Sequence, residues 1–126
     1  MITYVYAAAP GRQLDAAAVL AVAEQEGLGG GIGDGGLAYG PWQDHMTEFA
    51  GRPWYGRGRN NADVQAWAWT VTGADYVLAQ MVAAGADRLT GTAAINQIVR
   101  AYERPADPQG EVDRAVAQYQ KWKRGA

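Results

Sequence analysis

The sequence predicts a mainly α-helical protein with a small glycine-rich hairpin after its first long helix. Three observations support this prediction. The chain has 126 residues, about the length of one domain. Apolar residues recur at helical spacing in its second half, and eight of the fourteen residues 27–40 are glycine. Five Trp and seven Tyr add apolar bulk to an Ala-rich interior. We therefore expect residues 1–126 to form a single domain.

The first half of the chain predicts a short strand or extended lead-in, one helix and two irregular stretches. Residues 2–6 alternate weakly between apolar and polar, which favours a short strand, or an extended lead-in over residues 1–12. Residues 14–26 are rich in Ala, Leu and Val and stop at a run of glycines, as a helix does. Residues 27–40 then predict a loop or hairpin, and residues 41–60 an irregular segment broken by Gly and Pro.

The second half predicts helices over residues 61–70, 74–84 and two later segments. Thr92 is the expected N-cap of the earlier of these two later helices, and Pro105 follows the end of that helix. Asp107 before Pro108 is typical of the start of the last helix. The apolar stripe of the earlier helix is Ile95, Ile98, Val99 and Tyr102, and that of the last helix is Val112, Ala115, Val116, Tyr119 and Trp122.

The composition excludes several classes of function. The chain has no Ser and no Cys, its one histidine is His45, and its two lysines lie in the last six residues. This leaves no Ser or Cys nucleophile, no paired-histidine zinc motif and no P-loop lysine, so we expect no metal and no cofactor. A net charge of -2 makes nucleic acid an unsuitable partner. The sequence shows neither a signal-peptide pattern nor an apolar run long enough to span a membrane. Carboxylates are the remaining candidates for chemistry.

Two carboxylates stand out around the end of the first long helix. On a helical wheel, Glu26 points to the same side as the apolar residues, whereas Glu24 points to the opposite side and is expected in solvent. Burial and the negative end of the helix dipole would both keep Glu26 protonated. Asp34 follows among glycines, where it is expected to be hydrated. One shielded and one hydrated carboxylate is the glycosidase pattern. The alternatives are a frayed helix end for Glu26 and a turn-forming role for Asp34.

Aromatic and amide side chains follow these carboxylates. Tyr39, Trp42 and Trp54 lie near Gln43 in the sequence, and flat rings beside amides suit a sugar chain. The alternative for each aromatic residue is packing in the core. His45 completes the candidate substrate-binding set, with a structural hydrogen bond as its alternative role.

Several segments resemble the lysozyme-like superfamily. Residues 23–27 read Ala-Glu-Gln-Glu-Gly and residues 33–43 read Gly-Asp-Gly-Gly-Leu-Ala-Tyr-Gly-Pro-Trp-Gln, similar to its helix, Glu, loop and hairpin core. The resemblance is closest to the soluble lytic transglycosylase and phage tail lysozyme branch. Residues 73–78 and 102–108 resemble segments of phage tail and endolysin members. The resemblance covers about residues 14–120 and implies a lysozyme-like α+β fold.

The resemblance also implies a function. Glu26 would be the catalytic acid, and the hairpin and Tyr102 would line a glycan cleft. Gly27 stands where transglycosylases usually have Ser, while Asp34, eight residues after Glu26, is similar to the second carboxylate of phage-type lysozymes. These features together imply a peptidoglycan muramidase of phage origin, tail-borne on a virion or released as an endolysin to the cell wall. The alternatives are a lytic transglycosylase and an inactive glycan-binding or tail-structural domain.

Overall fold

The computed structural model describes residues 1–45 and 59–125. Within these ranges the chain is mainly helical, with six α-helices and one two-stranded sheet, as the sequence predicts. None of these helices is both long and apolar enough to cross a membrane. The helices are α1 (Ile2–Ala8), α2 (Ala16–Glu26), α3 (Ala62–Ala68), α4 (Val71–Ala83), α5 (Gly91–Gln97) and α6 (Pro108–Arg124). The strands are β1 (Ala38–Tyr39) and β2 (Asp44–His45), and shorter helical turns cover Pro10–Arg12, Asp34–Gly36 and Ile98–Glu103.

Helix α2 is the central element of the core. It begins at Asp15, whose carboxylate accepts hydrogen bonds from the backbone N–H groups of Ala17 and Ala18 at 3.1 and 3.4 Å. All residues from 17 to 23 are buried, so the helix is covered on every side rather than along one stripe. Its alanines have little side-chain volume, which allows its neighbours to approach closely. Its most extensive helix contact is with α6.

Helix α6 closes the core against α2. Asp107 caps it by accepting a hydrogen bond from the N–H of Gly110 at 3.1 Å, and Pro108 is its first residue, as predicted. Val112 and Ala115 are fully buried. The rest of the predicted stripe, Val116, Tyr119 and Trp122, is partly buried against the same core. The predicted phase of this helix is confirmed.

Two predictions about local structure are wrong. Residues 2–6 lie in helix α1 and not in a strand, because the buried side chain of Val5 packs against the helical core. Thr92 lies inside α5, and the cap position belongs to Thr90. The Thr90 side chain makes no capping bond. The N–H of Gly91, which has no partner within its own helix, instead donates to the carboxylate of Asp15 at 2.8 Å. A residue that is distant in sequence therefore performs the capping role.

The hairpin packs against the end of α2. Strands β1 and β2 are antiparallel, with Ala38 opposite His45. A Cβ atom on Gly27 would lie 2.4 Å from the carbonyl oxygen of Gly40, so only glycine permits this approach. The contact brings β2 and the preceding turn beside the last residue of the helix, Glu26.

Candidate active site

A cavity of about 560 Å³ opens at the C-terminal end of α2. Four of the predicted site residues, Glu26, Asp34, Gln43 and His45, line it together. They come from the helix end, the glycine-rich turn and the hairpin, which are separate in sequence. The opposite wall is the end of the turn that follows α5. The remaining lining residues are Ala38, Glu103, Arg104, Pro105 and Ala106.

Glu26 is a half-buried carboxyl with an acidic surrounding. Burial raises its pKa to about 8, helped by a hydrogen bond to the side chain of Glu111 and by the negative charges of Glu111 and Asp44. The positive charge of Arg114 lowers the pKa of Glu26, but this effect is smaller than those that raise it. The C-terminal end of α2 adds a further negative potential. At neutral pH the Glu26 carboxyl is therefore mostly protonated, as a general acid requires.

Two buried acids beside Glu26 were not among the predicted site residues. Glu111 and Asp44 are each only 5% exposed, and Asp44 accepts a hydrogen bond from the hydroxyl of Tyr102. Glu111 could have been found from the sequence, because it precedes Ala115 and Tyr119 by four and eight residues on the buried stripe of α6. Asp44 carries no comparable signal, since its burial depends on the packing of the hairpin.

Asp34 forms the second acidic wall of the cavity. Its side chain is 66% exposed, in agreement with the hydrated environment that the glycines predict. Its carboxylate oxygen Oδ2 lies 3.3 Å from Nε2 of His45. The backbone of Asp34 has a φ of 48°, in the left-handed region that Asp and Asn tolerate best among residues with a side chain. The contact with His45 orients an exposed carboxylate toward the same cavity as Glu26.

Gln43 both lines the cavity and braces the glycine-rich loop. Its side-chain Nε2 donates to the carbonyl oxygens of Gly31 at 2.9 Å and of Gly40 at 3.1 Å. A Cβ on Gly33 would lie 2.2 Å from the Gln43 amide oxygen, which shows how closely the loop wraps this side chain. A smaller cavity of about 160 Å³ lies between Glu26, Gln43 and the loop.

The predicted aromatic lining is wrong for three residues. Trp42 and Tyr39 are fully buried. Trp42 donates its ring N–H to the carbonyl of Val19 at 3.1 Å, and Tyr39 donates its hydroxyl to the carbonyl of Gly36 at 2.7 Å. Tyr102 is 7% exposed and is not among the residues that line the cavity. These rings satisfy their polar atoms inside the protein, so they stabilise the fold. Trp54 lies outside the described residues.

Glu24 is not the solvent-facing residue that the wheel predicts. Its two carboxylate oxygens accept hydrogen bonds from Nζ of Lys121 and from the ring N–H of Trp122, the latter at 2.8 Å. Both partners lie at the end of α6. Glu24 is therefore a link between the two central helices and does not line the cavity.

Within residues 1–45 and 59–125, no three His, Cys, Asp or Glu side chains are grouped in a way that would hold a metal ion. The chain matches no protein-family model, no curated protein and no solved structure in the corresponding comparisons.

Proposed function

We propose that the protein is a muramidase that cleaves the β-1,4 bond between N-acetylmuramic acid and N-acetylglucosamine in peptidoglycan. One observation carries the proposal: the half-buried carboxyl of Glu26 lines a cavity together with the exposed carboxylate of Asp34, and burial raises the pKa of Glu26 to about 8. A glycosidase needs one protonated and one hydrated carboxyl group. The choice of peptidoglycan rests on the resemblance of residues 23–43 and 102–108 to the lysozyme-like superfamily.

In this reaction Glu26 gives its proton to the oxygen of the leaving sugar as the glycosidic bond breaks. Positive charge develops on the other sugar ring, and Asp34 stabilises it or orients the attacking water. The water oxygen bonds to the sugar carbon, and its proton returns to a carboxylate. His45 holds Asp34 in place through the contact at 3.3 Å. The reaction would take place at the bacterial cell wall, from a phage virion or after release as an endolysin.

A lytic transglycosylase is the second candidate, in which a hydroxyl group of the sugar replaces water. Gly27 does not discriminate between the two reactions, because packing against the carbonyl of Gly40 already requires glycine there. Asp34 does discriminate, since a transglycosylase has no need of a second carboxylate for water. Its position on the cavity of Glu26 favours the hydrolase.

Turbidity of purified cell walls tests the proposed activity. Glu26→Gln should lower the rate of lysis by a factor on the order of 10² or more, because glutamine cannot supply the proton. Asp63→Asn is the matched control, since it removes one carboxylate from an exposed position in the first turn of α3. Lysis by Glu26→Gln above roughly a tenth of the wild-type rate would contradict the assignment. Wild-type protein that binds glycan without cleaving it would instead be an inactive binding domain.

Asp34→Asn decides between the two reactions. In a hydrolase this substitution should slow lysis on the order of 10²-fold, and the wild-type products should end in reducing sugars. Mass spectrometry of the released muropeptides gives the second readout. Products dominated by 1,6-anhydro ends, lighter by one water, together with nearly unchanged lysis by Asp34→Asn, would identify a transglycosylase.

A further inference from the structure

We propose that Tyr102 is a positioning residue that places the Asp34 carboxylate in the cavity through the hairpin, without touching the substrate. Its hydroxyl holds strand β2 by a hydrogen bond to Asp44, and the next residue of that strand, His45, contacts Asp34. The effect on catalysis rests on the proposed function, whereas the placement of Asp34 does not.

The hydrogen bond between Tyr102 and Asp44 joins two parts of the chain that are 58 residues apart. The Tyr102 hydroxyl donates to Oδ1 of Asp44, and the two residues are only 7% and 5% exposed. A hydrogen bond from a hydroxyl to a carboxylate is among the stronger ones in proteins. Loss of the hydroxyl would take a donor away from a buried carboxylate, so this bond is costly to break.

The Tyr102 end of the bond is fixed in the helical core. Tyr102 belongs to the turn Ile98–Glu103, and its ring packs in the same buried cluster as the residues of α2. The turn also contacts α4, α5 and α6. Because a closely packed interior resists displacement, the hydroxyl has a nearly constant position.

The Asp44 end of the bond lies on a strand that needs such support. Strands β1 and β2 have two residues each, and so short a hairpin is marginal by itself. Their register pairs Tyr39 with Asp44 and Ala38 with His45. Tyr39 and Asp44 share a buried face, while Ala38 and His45 both line the cavity. Holding Asp44 therefore determines how His45 stands in the cavity.

The contact between His45 and Asp34 carries this effect to the second carboxylate. Nε2 of His45 lies 3.3 Å from Oδ2 of Asp34, whose side chain is 66% exposed. Hydrogen bonds to the carbonyls of Gly35 and Gly36 hold the backbone of the turn but not the Asp34 side chain. A misplacement of about 1 Å can cost on the order of 10²-fold in rate, so a hydroxyl that never meets the sugar can still govern the reaction.

Tyr102→Phe tests the placement of Asp34, because it removes the hydroxyl and keeps the ring. Tyr119→Phe is the matched control: it also removes a hydroxyl that donates to an aspartate, Asp15, but at the opposite end of α2 from the cavity. His45 is the one histidine of the chain, so the NMR signals of its ring are unambiguous.

The wild type and Tyr119→Phe should both show a nuclear Overhauser contact between the His45 ring and the β-protons of Asp34. In Tyr102→Phe this contact should weaken or vanish. Its absence from the wild type, or its undiminished presence in Tyr102→Phe, would overturn the inference.

Kinetics on soluble peptidoglycan strands test the catalytic consequence. In Tyr102→Phe, kcat should fall on the order of tenfold with a smaller change in KM, because Asp34 acts on charge that develops in the transition state. Tyr119→Phe should stay within about twofold of the wild type. In an Asp34→Asn background, Tyr102→Phe should have little further effect, since both changes act on one group. Equal factors in the two backgrounds would show a purely structural role and overturn the inference.

Substitutions of Asp44 test the same bond from its other end. Asp44→Asn keeps an acceptor oxygen for the Tyr102 hydroxyl, whereas Asp44→Ala removes it. At a pH well below the Glu26 pKa of about 8, Asp44→Asn should retain the contact of His45 with Asp34 and most of the activity. Asp44→Ala should behave as Tyr102→Phe does, and identical losses in both Asp44 variants would contradict the inference. A wild-type protein that shows the contact but cleaves no peptidoglycan would refute only the proposed function.

Discussion

The Glu26 carboxyl lies where a negative charge is unfavourable for three separate reasons: burial, the acids beside it and the end of a helix. Its pKa of about 8 in the folded protein compares with an ordinary value of 4.5. Between these pH values the folded state binds a proton that the unfolded state does not. The stabilisation from protonated Glu26 is thus complete below pH 4.5 and is lost as the pH rises through about 8.

We therefore expect Glu26→Gln to change how stability depends on pH. The neutral amide cannot ionise, so its melting temperature should fall less than that of the wild type between pH 4.5 and 8. Calorimetric melts over this range provide the measurement, with Asp113→Asn, which removes one exposed carboxylate from α6, as the control. Parallel curves for Glu26→Gln and the wild type would show that the pKa of Glu26 does not differ between the folded and unfolded states.

For single residues, the sequence predicts the shielded carboxyl of Glu26, but Glu111 and Asp44 beside it were not among the predicted site residues. Helix position and the resemblance both select Glu26. The wheel is an unsound reason, however, because α2 is buried on all sides and its apolar residues define no single face. The same wheel misplaces Glu24. The predicted cavity positions of Trp42 and Tyr39 are wrong for a different reason. Their burial and their hydrogen bonds to Val19 and Gly36 depend on tertiary packing.

At the scale of elements, the contact between α2 and the hairpin determines the shape of the cavity. Gly27→Ala should destabilise the protein by about 1–3 kcal/mol, because the new methyl group would lie 2.4 Å from a backbone oxygen that cannot easily move. Gly29→Ala is the control, since a Cβ there meets no atom within 4 Å. Urea denaturation of both variants measures the difference. Equal urea midpoints for the two variants would mean that the close approach of the Gly40 carbonyl to Gly27 does not restrict the residue at position 27.

The boundaries of the elements could be predicted where the chain itself supplies the signal. Asp107 before Pro108 marks the start of α6 correctly, because both residues act locally. The prediction that Thr92 caps α5 is wrong because the capping hydrogen bond comes from Asp15, which is distant in sequence. The strand predicted for residues 2–6 is wrong because packing of Val5 in the core overrides a weak strand preference.

At the scale of the whole molecule, Asp15 connects three helices. It caps α2, accepts the N–H of Gly91 at the start of α5, and accepts the hydroxyl of Tyr119 from α6. We expect Asp15→Ala to lower the free energy of unfolding by at least about 2–3 kcal/mol, since it removes a cap and two further charged hydrogen bonds.

Asp107→Ala provides the comparison for Asp15→Ala. Asp107 is also a capping aspartate, but its carboxylate is a simple cap that accepts from Gly110 within the same helix. Its loss should cost about 1 kcal/mol. Chemical denaturation measures both variants. Similar losses for the two would show that the bonds of Asp15 to α5 and α6 add nothing to stability.

The unbroken burial of residues 17–23 in α2 has a consequence for motion. Amide hydrogens in a fully buried helix segment that packs against α1, α5 and α6 can meet solvent deuterium only when the whole fold opens. These amides should therefore exchange last of all, on the timescale of global unfolding. Glu26 extends directly from this slowest-exchanging segment, whereas Asp34 stands on an exposed turn. The two carboxyl groups of the cavity are thus attached to parts of the chain that differ in burial, and we expect amides near Asp34 to exchange much earlier than those of residues 17–23.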